Sequence, residues 1–136
     1  MDDQKKKQGT NAYRQNEVMT ASKETVLLLL YAGAVRFLKQ AIESLENKKI
    51  ADKAKYILRT HEIVSELRAG LNVSAGGDIA VNLERLYDFI IDRLIQGNMN
   101  NTVAPLQEAL SVLTTLNDAW EQAVASLKKE KATEVK

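Results

Sequence analysis

The chain has 136 residues, 45% of them hydrophobic, which is enough for one domain with a core of its own. It contains no cysteine, and this excludes disulfides, thiolate catalysis and cysteine-based zinc or iron–sulfur sites. Its 19 basic and 18 acidic residues are interspersed and leave a formal net charge of +1, a balance that argues against a nucleic-acid partner.

The hydrophobic segments are too short for a membrane span. The longest apolar run extends from Val26 to Val35, where Arg36 ends it, and a transmembrane helix needs roughly 18 or more apolar residues. The N-terminal residues are polar, and no hydrophobic region of a signal peptide follows them. We therefore expect a cytoplasmic protein without membrane insertion.

Apolar residues that recur with a period near 3.6 predict two helices in the first half of the chain. Residues 1–17 are polar and are expected to form a flexible N-terminal segment. Ser22 is a good N-cap for the first helix, with Glu24 favourably placed in the first turn, and the pattern breaks at about Asn47. The second helix is expected from about Ile50 to Leu71.

The third helix follows a predicted loop at residues 72–77, which ends in two adjacent glycines. Asp78 is expected to cap this helix, and Gly97-Asn98 is expected to end it. The helical spacing between these two signals is carried by Leu83, Leu86, Tyr87, Ile90 and Leu94.

The fourth helix is expected to begin at Thr102 or a neighbour. Pro105 lies in its first turn, where the missing N–H costs little. Trp120 is expected to face the core, and the helix to continue to about Lys128, which leaves residues 129–136 as a charged C-terminal tail. Short links between four helices of about 20–27 residues predict antiparallel neighbours. We therefore expect an all-α protein, an antiparallel up-down four-helix bundle over residues 18–128.

The first and third helices carry more apolar residues than one core-facing stripe requires. A bundle helix needs a stripe a little over 100° wide, yet residues 26–35 are apolar on every face, and Phe89, Ile91 and Ile95 lie off the stripe of the third helix. One interpretation is a wide core face. The other is a second apolar surface that binds a helical segment of a partner. Gly33 fits either a close backbone approach or helix packing.

Metal and phosphoryl chemistry find little support in the sequence. His61 is the only histidine, so the paired Glu-x-x-His motifs of a di-iron bundle cannot be built, and no cofactor or metal site is expected. Histidine phosphotransfer domains usually place lysine and then glycine three and four residues after the reactive histidine, where this chain has Val64 and Ser65. We expect no enzyme and no small-molecule substrate, with a phosphotransfer domain and a self-associating structural bundle as the alternatives.

Short strings spread along the chain form a pattern over about residues 11–124. The main strings are Tyr13, Thr20-Ala21-Ser22, Leu30-Tyr31, Gly33-Ala34, Asn82-Leu83, Leu86-Tyr87-Asp88 and Ala119-Trp120. In this order and spacing they resemble the FliS family, the cytosolic export chaperones for flagellin. The chain departs from the family pattern at Lys23, Ala32 and Asn117, where the family often has proline, an acidic residue and arginine.

The resemblance implies a bundle that binds the disordered C-terminal segment of flagellin, prevents premature polymerisation and aids delivery to the flagellar type III export apparatus. It also implies that the N-terminal segment, through Tyr13 and Val18, lies over the site when no client is bound. A hydrophobic staple at the helix entry is the other interpretation of Val18. Together with the apolar excess, the resemblance predicts these contact residues: Leu27, Leu30, Tyr31, Ala34 and Leu38, then Asn82, Leu83, Tyr87 and Ile91, and on the second helix Ile57 and Val64.

Overall fold

The computed structural model describes residues 22–134, which form four α-helices joined by short links. The helices pack in a square, because α1 contacts α2 and α4 while α3 also contacts α2 and α4, so that α1 and α3 lie on a diagonal. The predicted all-α antiparallel up-down bundle is confirmed. The four helices are α1 (Lys23–Glu46), α2 (Ile50–Ala69), α3 (Val73–Asn100) and α4 (Val103–Glu134).

A single stripe from each helix fills the core. Its fully buried side chains are mostly leucine, isoleucine and valine, and each contributes roughly 1.5–3 kcal/mol by burial. Although the longest uninterrupted apolar run is short, α1 as a whole is long and apolar enough to cross a membrane by length and composition alone. A core helix of a soluble protein passes the same test, and α1 contributes buried residues to this core. The largest of the fully buried apolar side chains are Leu38, Val64, Ile90, Leu94, Leu106 and Leu113.

The start of α1 agrees with the prediction. The Ser22 hydroxyl accepts a hydrogen bond from the Thr25 backbone N–H at 3.1 Å, so it satisfies one of the free donors of the first turn. The helix ends at Glu46, and Lys48 adopts a left-handed conformation with a φ of 60° that turns the chain into α2. A side-chain cap and a tight turn therefore set both ends of this helix.

The predicted loop at residues 72–77 is wrong, because a helical turn already forms there. The Asn72 side chain accepts a hydrogen bond from the Ala75 backbone N–H at 3.2 Å and so starts α3 earlier than expected. A break then follows at Gly77, whose φ of 59° and ψ of −140° suit a residue without a side chain. Asp78, the predicted N-cap, lies just after that break.

The predicted end of α3 at Gly97-Asn98 is also wrong. The helix continues to Asn100, and Asn101 takes the left-handed capping conformation, with φ 49° and ψ 45°. Gly97 is buried against α4, where a Cβ atom would lie 2.5 Å from Leu106 Cδ2. This glycine permits close helix packing, a role that the sequence does not distinguish from a helix stop.

Adding a methyl group at Gly97 should destabilise the bundle, while the same change at Gly33 should not. A Cβ at Gly97 overlaps the fully buried Leu106, so Gly97→Ala should cost about 1–3 kcal/mol. At Gly33 a Cβ meets Ile63 Cδ1 at an ordinary 3.4 Å, so the helix propensity of alanine should add up to about 1 kcal/mol. Urea unfolding of both variants measures the difference, and equal midpoints would contradict the packing described for Gly97.

A buried lysine joins the start of α2 to the end of α3. Lys53 is only 3% exposed, and its ammonium group donates hydrogen bonds to the Asn98 carbonyl at 3.1 Å and to Asn101 Oδ1 at 2.6 Å. A cation is favourable there because the last carbonyls of a helix carry partial negative charge. Lys53 therefore secures the α3–α4 turn from the side.

Removing this charge should lower the stability of the bundle measurably. Lys53→Met keeps the length of the side chain but loses two charge-assisted hydrogen bonds, and we expect a loss of about 2 kcal/mol in the free energy of unfolding. The exposed Lys39→Met is the matched control and should change the urea midpoint very little. Equal midpoints for the two variants would show that the Lys53 contacts contribute nothing.

The fourth helix is longer than the sequence predicts. Pro105 lies in its first turn, as expected, but the helix extends to Glu134, past the predicted end near Lys128. Beyond Val124, which is buried, the side chains described up to residue 132 are exposed. The charged residues at this end therefore continue the helix as a solvated surface.

Candidate functional site

The bundle opens into a groove at the end where α1 begins, α2 ends and α3 begins. The groove has a volume of about 570 Å³ and is lined by side chains from all four helices. Glu66 is the only charged residue among the described lining residues. The others are Leu27, Leu30 and Tyr31, then Leu67, Gly70 and Leu71, then Ile79, Leu83 and Tyr87, and finally Leu116, Ala119 and Trp120.

The groove forms because the core stripes are not fully covered at this end. Leucines in the middle of the bundle, such as Leu38 and Leu94, are completely buried, whereas Leu30 and Leu83 are only partly buried where they line the groove. Ile79 is 74% exposed there. A contiguous apolar surface of this kind typically marks a partner-binding site on a monomeric protein.

Two tyrosines from diagonal helices meet at the groove. The hydroxyl groups of Tyr31 on α1 and Tyr87 on α3 share a hydrogen bond, although their helices do not pack against each other. Burial raises the pKa of the Tyr31 hydroxyl above its ordinary value. The pKa of the Tyr87 hydroxyl is also raised, by burial and by its hydrogen bond with Tyr31. Both hydroxyls therefore stay protonated and neutral at physiological pH.

Trp120 connects α4 to the first turn of α1 at the edge of the groove. Its indole N–H donates a hydrogen bond to the Glu24 carbonyl at 3.1 Å. Trp120 packs against the core, as expected, but it is only partly buried and also lines the groove. An amphipathic ring suits this position because its polar edge is satisfied while its flat face remains available.

Five of the predicted contact residues line the groove, and their role as contacts remains a prediction. They lie on the diagonal pair of helices, as the sequence suggested, and are Leu27, Leu30, Tyr31, Leu83 and Tyr87.

The remaining predicted contact residues lie elsewhere. Ala34, Leu38, Val64 and Ile57 are buried in the core and, unlike the equally buried Tyr31 and Tyr87, do not line the groove, so we no longer propose these four as contacts. Asn82 is exposed and Ile91 is partly buried, and neither lines the groove. Periodicity identifies the inward stripe of a helix, but the same stripe is core in the middle of the bundle and groove at its end. Tyr13 and Val18 lie outside the described residues.

The sequence prediction chose other residues of α2, Ile57 and Val64, and named no contact residue on α4. Leu67 from the end of α2, Leu71 from the link that follows it, and Leu116 and Ala119 from α4 complete the walls of the groove. An antiparallel bundle places the end of α2 beside the start of α1, so this topology was the available signal for these residues. Ile79 directly follows the expected N-cap Asp78 and was not among the predicted contacts, although it is 74% exposed and lines the groove.

His61 lies away from this groove, on the face between α2 and α3. It is partly buried beside a cavity of about 210 Å³, and its Nδ1 atom lies 3.4 Å from the Ser65 hydroxyl. Within residues 22–134, no group of three or more histidine, aspartate or glutamate side chains is placed to hold a metal ion.

A four-helix bundle whose core opens into an apolar groove has the kind of surface that suits a helical segment of another protein. Comparison with known proteins gives the family: the model of the flagellar protein FliS family matches residues 6–127, and the chain belongs to this family. The chain is 32% identical over 120 residues to the flagellar secretion chaperone FliS of Bacillus subtilis (strain 168), covering 88% of this chain and 89% of that relative.

Two further comparisons agree. The flagellar secretion chaperone FliS of Salmonella typhimurium (strain LT2) is 34% identical over 119 residues, covering 84% of this chain and 88% of that relative. A crystal structure of a flagellar chaperone from bacteria matches with a TM-score of 0.71 at 23% identity, covering 89% of this chain and 98% of that chain, and supports the fold. The family is one of chaperones, so the protein is not an enzyme, and the phosphotransfer alternative is set aside.

Proposed function

We propose that this protein is a cytoplasmic export chaperone that holds the disordered C-terminal segment of flagellin in the apolar groove. Bound in this way, flagellin is kept from polymerising early and is delivered to the flagellar export apparatus. The observation that carries the proposal is the groove itself, lined almost entirely by apolar side chains from all four helices of a chain in a chaperone family.

The size and chemistry of the groove suit one segment of a chain. A volume of about 570 Å³ holds several apolar side chains, in the range usual for binding pockets. A disordered segment that folds on binding covers a large surface while losing conformational entropy, so the net affinity stays moderate. Moderate affinity suits a client that must be released at the export apparatus.

Calorimetric titration of the full chain with a flagellin C-terminal segment tests this function. We expect saturable binding with a negative heat-capacity change, because apolar surface is buried. A segment from the flagellin N-terminus is the control and should not compete for the groove. Failure of the C-terminal segment to bind, or sedimentation showing a stable dimer that excludes it, would overturn the proposal and favour a self-associating bundle.

The N-terminal segment is proposed to compete with the client for the groove through Tyr13 and Val18. If it occupies the groove in a large fraction of free molecules, the double variant Tyr13→Ala with Val18→Ala should bind the client segment about threefold to tenfold more tightly. Calorimetry on the full chain measures this change. If Val18 is instead a hydrophobic staple, the variant will lose thermal stability and keep the affinity of the parent protein.

A further inference from the structure

The tyrosine pair in the groove has more hydrogen-bonding capacity than it uses. Tyr31 and Tyr87 are 6% and 2% exposed, yet both line the groove. Each hydroxyl carries one hydrogen, and the bond between the two hydroxyls uses only one of these hydrogens. Within residues 22–134, neither hydroxyl bonds to any other group. Whichever tyrosine donates, one O–H hydrogen remains for an acceptor outside the pair.

Among the residues that the structure describes, the groove lining offers no neutral polar side chain that could serve as this acceptor. Apart from the two tyrosines, its described residues are apolar, with Glu66 as the single charged residue and the Trp120 indole N–H already bonded to the Glu24 carbonyl. A purely apolar segment that seals the groove from water would leave the second hydrogen unsatisfied, which is costly in a buried setting. A segment that brings an acceptor to this point avoids that cost.

We propose that the Tyr31–Tyr87 hydroxyl pair selects client segments that place one neutral hydrogen-bond acceptor among their apolar side chains. This inference rests on the proposed function of the groove. Backbone carbonyls inside a bound helix are already paired, so the acceptor is the side chain of serine, threonine, asparagine or glutamine, or a carbonyl at a helix end. A carboxylate is disfavoured, because burying its charge in an apolar groove beside Glu66 is costly.

The test removes both hydroxyls together. A single tyrosine-to-phenylalanine change leaves the other hydroxyl with its hydrogen, so only Tyr31→Phe combined with Tyr87→Phe removes the need for an acceptor. Replacing both partners by apolar groups of the same shape usually preserves stability. Thermal unfolding of the double variant, compared with the parent protein, is the control for folding.

The binding partner in this test is a flagellin C-terminal peptide and a set of its variants. Each variant has one serine, threonine, asparagine or glutamine replaced by alanine. A second set of peptides moves the end of the peptide's own helix by one residue. For the parent protein, one change should weaken binding by about tenfold. For the double phenylalanine variant, the same peptide change should alter the affinity by less than about twofold. The difference between the two proteins measures the coupling between the peptide acceptor and the tyrosine pair.

The outcomes separate this inference from the proposed function. If the parent protein binds none of the peptides, the proposed function fails, and the inference fails with it. If the parent and the double variant bind the peptides with the same ranking, the inference alone is wrong. Should the double variant fail to fold, the scan on the parent protein decides, because the absence of any change that weakens binding at least threefold would overturn the inference.

Discussion

Replacing Ala119 by glutamate should weaken binding of the flagellin C-terminal segment by at least about tenfold, roughly 1.4 kcal/mol. Ala119 is exposed on α4 and lines the groove, so the variant should remain folded while a carboxylate enters the apolar surface. A bound segment would strip water from that charge in a groove that already contains Glu66. Ile79 is also exposed and lines the groove. A double variant that adds Ile79→Glu should therefore weaken binding by about a hundredfold. Calorimetry with the same segment measures both losses.

The matched control for this pair is Ala125→Glu, which introduces the same charge at an exposed position of the same helix outside the groove. It should bind the segment as tightly as the parent protein, because no apolar contact surface is altered. All three variants should keep the parental unfolding midpoint within the small range usual for surface changes. Parental affinity in the Ala119→Glu variant would show that α4 does not contribute to the binding surface.

Replacing Ala34 by glutamate should unfold the protein rather than act on binding alone. The sequence suggested Ala34 as a contact, but it has no exposed surface and lies among the core side chains of the bundle. A carboxylate there would be both oversized and without a charge partner, so we expect a loss of about 4 kcal/mol or more in the free energy of unfolding. Circular dichroism during urea unfolding measures this loss.

Ala32→Glu supplies the control for this core prediction. Ala32 lies two residues away on the same helix but is exposed, and its replacement should change the free energy of unfolding by less than about 0.5 kcal/mol. If Ala34→Glu unfolds at the same urea concentration as Ala32→Glu, the orientation of α1 described above is wrong.

The fold could be predicted from the sequence because its signals are local. Ser22 caps α1 and Pro105 lies in the first turn of α4, as expected from their side chains. The end of α3 was mispredicted at Gly97, because the sequence alone does not distinguish a glycine that permits close packing of Leu106 from a glycine that ends a helix. The extra turn at the start of α3 was missed because the cap at Asn72 competes with the loop signal of two glycines.

The candidate site could be predicted only in part, because it depends on which stretch of a stripe is left uncovered. Leu27 and Leu38 belong to the same apolar stripe of α1, yet Leu27 lines the groove and Leu38 is completely buried. This difference arises from how the four helix ends meet, a property of tertiary packing that periodicity does not contain. The apolar excess and the family resemblance together predicted contacts on α1 and α3, whereas the groove residues from the end of α2 and from α4 are found only in the structure.

The most direct test of the groove as the client site uses its own tryptophan. Trp120 is the only tryptophan of the chain, its ring is partly buried, and it lines the groove, so its fluorescence reports whether water reaches this surface. Titration with a tryptophan-free flagellin C-terminal segment should give a saturable blue shift of the Trp120 emission, with the same midpoint as the calorimetric titration. Calorimetric saturation with no change in Trp120 emission would contradict the account, because the segment would then bind elsewhere on the bundle.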